Sequence, residues 1–189
     1  MLDNLHVSYL VICITKGQKS KQYEWRFAVK SSGKEQRMIT GSQNDSTPNK
    51  RHKTQFRIPL FEVDIGQAVY HGSYFHFFEL GREVFLRDLG YPYRRLMDQE
   101  LHLTIVEVSC NYRRPLHYDE LVEIRTGVNW IRNRSLSLSQ DIYLVEGATE
   151  PVLCTAAVFN LVCIHFSGKA VTIPKDFAQR LEQWAFSDA

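Results

Sequence analysis

The sequence predicts a layered α+β domain, in which a helix shields one face of an antiparallel sheet. Three observations carry this expectation. Tyr74 to Leu89 has apolar residues at helical spacing, four long extended segments follow it, and no repeated strand-helix-strand unit appears. Without such units, and without a GxGxxG sequence, a doubly wound dinucleotide-binding fold is not expected.

The first elements along the chain are two strand-like stretches, Leu5 to Thr15 and Gln22 to Val29, rich in β-branched and aromatic residues. Their place in the fold is left open. Thr54 to Val63 is a clearer strand, with Phe56, Ile58 and Leu60 sharing one side and Arg57 facing the other, so that Asp64 would sit where the strand ends.

In the predicted helix, Tyr74, Phe77, Phe78, Gly81, Val84, Phe85 and Leu89 form a broad apolar stripe. Ser73 is the expected N-cap, and Gly90 before Tyr91-Pro92 the expected stop. Gly81 inside a helix costs ~1 kcal/mol of propensity, a cost better tolerated if the missing side chain lets the helix approach a sheet closely.

Leu101 to Cys110, Glu120 to Trp130, Leu136 to Glu146 and Val152 to Phe166 then read as strands. His117-Tyr118-Asp119, Arg132-Asn133-Arg134 and Glu146-Gly147-Ala148 supply the turns between them. Strict alternation places Leu136 and Leu138 on one face and the neighbouring serines on the other. A last helix is expected from Pro174 to about Trp184, packed through Phe177, Leu181 and Trp184.

The 189 residues fit one domain plus an extension, and 44% hydrophobic with 23% charged residues describe an ordinary globular protein. The net charge of +2 is unevenly distributed. Residues 16 to 53 carry ten Lys/Arg against three Asp/Glu, and residues 54 to 189 thirteen against seventeen. The chain is therefore divided into a basic N-terminal extension, residues 1–53, and a domain, residues 54–189. Lys50-Arg51-His52-Lys53 is read as a solvated basic run, since no nucleic-acid fold accompanies it, and no nucleic-acid partner is expected.

The apolar run Leu5 to Ile14 is too short to span a bilayer and has no basic leader or cleavage site, so neither a membrane nor an export signal is expected and the default location is cytoplasmic. Cys13, Cys110, Cys154 and Cys163 lack CxxC spacing and read as buried thiols. No metal-ligand spacing or cofactor motif is present, and neither a GxSxG nor a phosphate-binding loop occurs.

The chemistry that remains lies in Asp64-Ile65-Gly66-Gln67-Ala68-Val69-Tyr70-His71-Gly72. A chain entering a helix at Gly72-Ser73 presents unpaired N–H groups and the positive end of the helix dipole, where a developing oxyanion is stabilised. Asp64 has two possible actions on an acyl compound: attack on its carbonyl or activation of water. Against this stands an aspartate that caps a turn or pairs with Arg57 or Arg82. His71 is placed to contact a leaving group or tune Asp64, or is an ordinary turn residue. Glu79 is a second acid for a pocket or, on spacing alone, a helix carboxylate paired with Arg82. Val69, Tyr70 and Tyr74 are candidate pocket wall or core.

FRIPLFEVDIGQAVYHGSYFHFFELGREVFLRDLG, with the later VEVSCNYRRPLHYDELVEIRTGV, resembles the acyl-CoA thioesterase group typified by 4-hydroxybenzoyl-CoA thioesterase and the Tol-Pal-associated thioesterase. The matching motif residues are Asp64, Val69, Tyr70, His71, Tyr74, Glu79 and Arg82, and the likeness covers about Thr54 to Phe166. It implies a hotdog fold, an antiparallel sheet wrapped around a long central helix, assembled as a homodimer or homotetramer with sites between subunits. It further implies hydrolysis of an acyl-CoA or acyl-carrier-protein thioester without a cofactor. On this resemblance Asp64 is nucleophile or general base, His71 lies beside the thioester, and N–H groups near His71 and Gly72 polarise its carbonyl. Hotdog hydratases or dehydratases and non-catalytic acyl-CoA-binding proteins are the alternatives.

Overall fold

The computed structural model of the protein describes residues 50–147 and 149–185, together with the backbone of Val11–Ile12 and Trp25–Phe27. Those two short pieces are strands β1 and β2. The rest of the two strand-like stretches expected before residue 50, and Cys13, lie outside the described residues.

Strand β3, His52–Arg57, is followed by a 3-10 turn at Leu60–Glu62 and then by helix α1, Ser73–Asp88. A short helix α2, Arg94–Met97, leads into four long strands: β4 (Leu101–Tyr112), β5 (Leu121–Ile131), β6 (Ser135–Leu144) and β7 (Val152–His165). Helix α3, Lys175–Glu182, ends the fold. The sheet order is β1-β2-β4-β7-β6-β5-β3, and every pairing is antiparallel. Five strands, β4-β7-β6-β5-β3, form the body that wraps α1, and the two short strands extend its β4 edge. This is the expected α+β hotdog architecture.

Helix α1 lies along the concave face and buries Tyr74, Phe77, Phe78, Gly81 and Phe85. Phe78 meets Phe159 of β7 edge-on at 5.3 Å, and Phe77 meets Phe56 of β3 at 5.1 Å, so the aromatic stripe is the seam between helix and sheet. Gly81 is the point of closest approach. A Cβ there would stand 2.9 Å from Ile124 Cγ2 and 3.1 Å from Gln140 Nε2. The helix ends in a Schellman arrangement, with Gly90 at φ +74° and the N–H groups of Gly90 and Tyr91 donating to the carbonyls of Arg87 and Leu86.

Two local expectations are corrected. The strand from Thr54 stops at Arg57, because Pro59 has no N–H to continue the ladder and the chain turns at Leu60–Glu62, leaving Leu60 exposed and Asp64 in the loop beyond. The N-cap of α1 is Gly72, not Ser73, which is the first helical residue and donates its N–H to the Tyr70 carbonyl. The serines of β6 stand on the face opposite Leu136 and Leu138 as expected, and Ser137 and Ser139 are buried there too.

The basic run is likewise engaged with the domain. Lys50 lies over the Trp184 ring, Arg51 binds Asp141, His52 is buried with its Nε2 2.8 Å from Asp88, and Lys53 is 3.6 Å from Glu123. Trp184 also meets Phe85 edge-on and Phe177 stacks on Tyr91, which docks α3 beside the C-terminal end of α1 as its spacing predicts. Cys110, Cys154 and Cys163 are buried free thiols, as expected.

Gly81→Ala is expected to destabilise the protein by about 1–3 kcal/mol in denaturant unfolding, although alanine has the better helix propensity, because the added methyl overlaps Ile124. A neutral or stabilising effect would show that the helix is free to lift away from the sheet.

Candidate functional site

The residues from Asp64 to Gly72 form a compact loop between the 3-10 turn and α1. The Asp64 N–H donates to the Ala68 carbonyl, the Gln67 N–H to the Asp64 carbonyl, and the Gly66 N–H to Asp64 Oδ1 at 2.7 Å. Gln67 takes φ +64°, which closes the turn, and Val63 and Val69 bridge its neck. The Asp64 side chain therefore caps its own turn through one oxygen while remaining exposed. Neither arginine offered as its partner takes it: Arg57 pairs with Glu146, and Arg82 binds Gln140.

Asp64, His71 and Gly72 are thus brought onto one loop at the N-terminus of α1. The exposed Tyr70 ring meets His71 at a tilt with centroids 4.2 Å apart and covers Gly72, where a Cβ would fall 2.7 Å from the ring. Among the described residues, no group accepts a hydrogen bond from the Gly72 N–H. Val69 and Tyr74 sit in the core below the loop, as structural rather than exposed surfaces. Glu79 is seven residues beyond Gly72, roughly 10 Å along the helix on the same face.

Glu79 lines a different feature, a cleft of about 480 Å³ between α1, α2, α3 and the sheet. Its floor is apolar, with Leu136, Leu138, Leu161, Phe177 and Leu181. Glu79, Arg82, Glu83 and Arg94 stand in its polar part, and no residue of the Asp64 to Gly72 loop lines it. The expected surface ion pair between Glu79 and Arg82 does not form. Arg82 turns inward and donates to Gln140 Oε1 at 2.9 Å, and Glu79 attracts it only at longer range.

The residues that hold the loop were not legible as such. Tyr112, at the end of β4, donates its hydroxyl to the His71 carbonyl at 2.9 Å. The Leu116 N–H donates to the Tyr74 hydroxyl, the Val69 N–H donates to the Leu116 carbonyl, and His117 Nδ1 lies 2.8 Å from the Gln67 carbonyl. Residues 112 to 117 form a brace under the loop more than forty positions away in sequence. Gln140 did leave a signal, since it continues the buried face of Leu136 and Leu138 with a polar side chain.

Burial pushes the Tyr74 hydroxyl up to about 12, while the bond from Leu116 acts in the opposite direction. Tyr112 is raised as well, first by burial and then by neighbouring Cys110, and burial also pushes the Cys110 thiol up to about 12. None of these three groups is an anion at neutral pH, so the Tyr74 and Tyr112 hydroxyls enter the brace as neutral groups. Among the described residues there is no cluster of three or more metal-ligating side chains, and no helix is long and apolar enough to cross a membrane.

The family model of the thioesterase-like superfamily matches residues 58–181, which takes in the loop, α1, the four long strands and α3. The chain belongs to that superfamily. Its similarity to two curated relatives extends over nearly all of their length. It is 28% identical over 135 residues to the acyl-CoA thioester hydrolase YbgC of Escherichia coli O6:H1, covering 69% of this chain and 98% of that one. It is 26% identical over 132 residues to the long-chain acyl-CoA thioesterase FadM of Escherichia coli K12, at 69% and 97% coverage. The crystal structure of the Aquifex aeolicus protein AQ1494 superposes with a TM-score of 0.63 and 27% identity, over 69% of this chain and 98% of that one. The matched region begins within the domain, and the first fifty-odd residues fall outside the family model.

Tyr74→Phe tests the brace. Unfolded tyrosine ionises near 10 and the folded hydroxyl near 12, so the stability held by this group is complete below pH 10 and lost progressively between pH 10 and 12. The variant is expected to lose about 1–2 kcal/mol at pH 7, where the Leu116 N–H is orphaned, and to show a shallower fall from pH 10 to 11.5 in denaturant titrations.

Proposed function

We propose that the protein hydrolyses an acyl-CoA thioester to the free carboxylic acid and CoA. The observation that carries this reading is the Gly72 N–H. It stands at the positive end of α1 with no described acceptor, on the same loop as an exposed carboxylate. A thioester carbonyl placed there would have its oxygen polarised by the backbone. Asp64, with one oxygen tied to the Gly66 N–H, presents its other oxygen to the carbonyl carbon or to a water beside it. When Asp64 activates water, the proton it takes from that water passes to the departing thiolate, giving the acid and CoA; when it attacks directly, thiolate loss leaves an acyl anhydride on Asp64, which water hydrolyses to the acid, and the proton released goes to the thiolate. His71, in contact with the Tyr70 ring, is assigned to the leaving-group side.

The same reading makes the protein a homo-oligomer, with loop and cleft meeting between copies. Two features support this. The cleft holds the apolar lining and Glu79 but none of the loop residues. The loop, in turn, is ringed by exposed Leu60, Phe61, Ile65, Tyr70 and Tyr118, an apolar apron of the kind that marks an interface. The supporting relatives are YbgC and FadM, whose names give acyl-CoA thioesters as substrates. A carrier-protein thioester remains within the same substrate class.

Free-thiol release from aromatic, short-chain and long-chain acyl-CoAs, with product mass, is the direct measurement. Asp64→Asn is expected to reduce turnover by at least 10²-fold with folding and assembly unchanged. Retention of full activity would remove Asp64 from the chemistry, and a product changed by the mass of water would assign a hydratase instead. Phe61→Asp combined with Ile65→Asp is expected to dissociate the assembly in light scattering and to lower turnover with it. A monomer that kept full turnover would place the whole site within one chain.

A further inference from the structure

The cleft beside α1 contains a charge that the fold itself does not neutralise. Arg82 is half-buried, its guanidinium lies 4.6 Å over the face of Phe159, and one N–H is given to Gln140 Oε1. Gln140 cannot turn away. It is fully buried, and its amide donates to the Phe78 carbonyl at 2.9 Å and to Thr126 Oγ1 at 3.1 Å. The guanidinium is therefore held in a fixed pose by two neutral partners.

Among the described residues no carboxylate lies within ion-pair distance of Arg82. The other charged groups of the cleft are already paired: Glu83 with Arg87 and Arg94 with Asp98, leaving Glu79 as a more distant attraction. A guanidinium has five N–H donors in a rigid fork matched to a carboxylate, and a single one is used by Gln140. Burial brings the Arg82 pKa down to about 10, which leaves it charged at neutral pH. The leucine and phenylalanine floor and a volume of about 480 Å³ fall in the range of small-molecule sites. A half-buried cation with most of its donors unused, beside an apolar floor, is stabilised by an anion that takes the space next to it.

We propose that this cleft binds a free carboxylic acid with an apolar body, the carboxylate on the Arg82 fork and the tail on Leu136, Leu138 and Leu161. The acid released by the reaction proposed above is the same chemical class, so its source rests on that reading, but the binding itself does not. Arg82 would then make the protein responsive to its own product. Glu79 has a defined part in this: as the neighbouring anion it competes with the ligand for Arg82 and weakens its hold.

Titration calorimetry of the full chain with sodium decanoate, and with decanamide as the neutral counterpart, tests the proposal in the absence of any thioester. Decanoate is expected to bind once per chain and at least tenfold more tightly than decanamide. Arg82→Gln should erase that preference, Arg82→Lys should retain part of it, and Leu138→Trp should block both ligands. Glu79→Gln should tighten decanoate alone, a gain that a purely structural role for these residues would not produce. Equal binding of the two ligands, or decanoate binding indifferent to Arg82→Gln, would overturn the proposal. If Arg82→Gln fails to fold, the Arg82→Lys and Glu79→Gln titrations decide it. A protein that binds decanoate yet never cleaves an acyl-CoA would sink the thioesterase reading and leave this one standing.

Discussion

The close approach of α1 to the sheet at Gly81 is the constraint from which the rest of the geometry follows. With no side chain at that position, the helix settles against Ile124 and Gln140, and its aromatic residues interlock with Phe56 and Phe159. The helix axis is thereby fixed relative to the strands. Its N-terminus meets the loop that carries Asp64, and its middle turns form one wall of the cleft. A helix held a few ångströms farther out would place Arg82 beyond reach of Gln140 and would open the leucine floor to water. One missing methyl group therefore governs both polar features of the molecule.

The loop is held differently, by hydrogen bonds from a remote turn. Tyr112, Leu116 and His117 reach residues 67 to 74 through four contacts, and three of those use a backbone group of the loop itself. Backbone anchoring leaves the loop side chains free to vary while keeping the position of the Gly72 N–H. Exposed side chains on a pinned backbone suit a site that must meet a partner surface.

Much of the fold was legible because its signals are periodic. The stripe from Tyr74 to Leu89, the alternation around Leu136 and the turn residues at 117–119, 132–134 and 146–147 locate the helix and the strands to within about two residues. The errors fall where periodicity carries no information. Phe56, Ile58 and Leu60 alternate as a strand would, but Pro59 ends the ladder between the last two. Ser73 is the stronger capping residue by type, yet the first helical turn begins one residue earlier with Gly72. Asp64, His71 and Gly72 could be placed on one loop from sequence because they are neighbours, whereas Tyr112 could not be joined to His71 by any local rule. The inward turn of Arg82 was hidden for the same reason: its partner Gln140 lies 58 residues away, and spacing alone favours the nearer Glu79.

The cluster at the other end of α1 has a mechanical meaning. His52, from the first residue of β3, and Trp184, from the turn after α3, both pack on Phe85, and Lys50 lies over Trp184. The start of β3 and the turn after α3 are thus held by one set of rings. Fraying at either end exposes the same aromatic surface, so neither end can open without loosening the other. The ring contact therefore works as a clasp between these two segments. Load on the start of β3 is carried first by the six residues through which it pairs with β5, and the rings on Phe85 add a second hold at the end of α1 away from the loop.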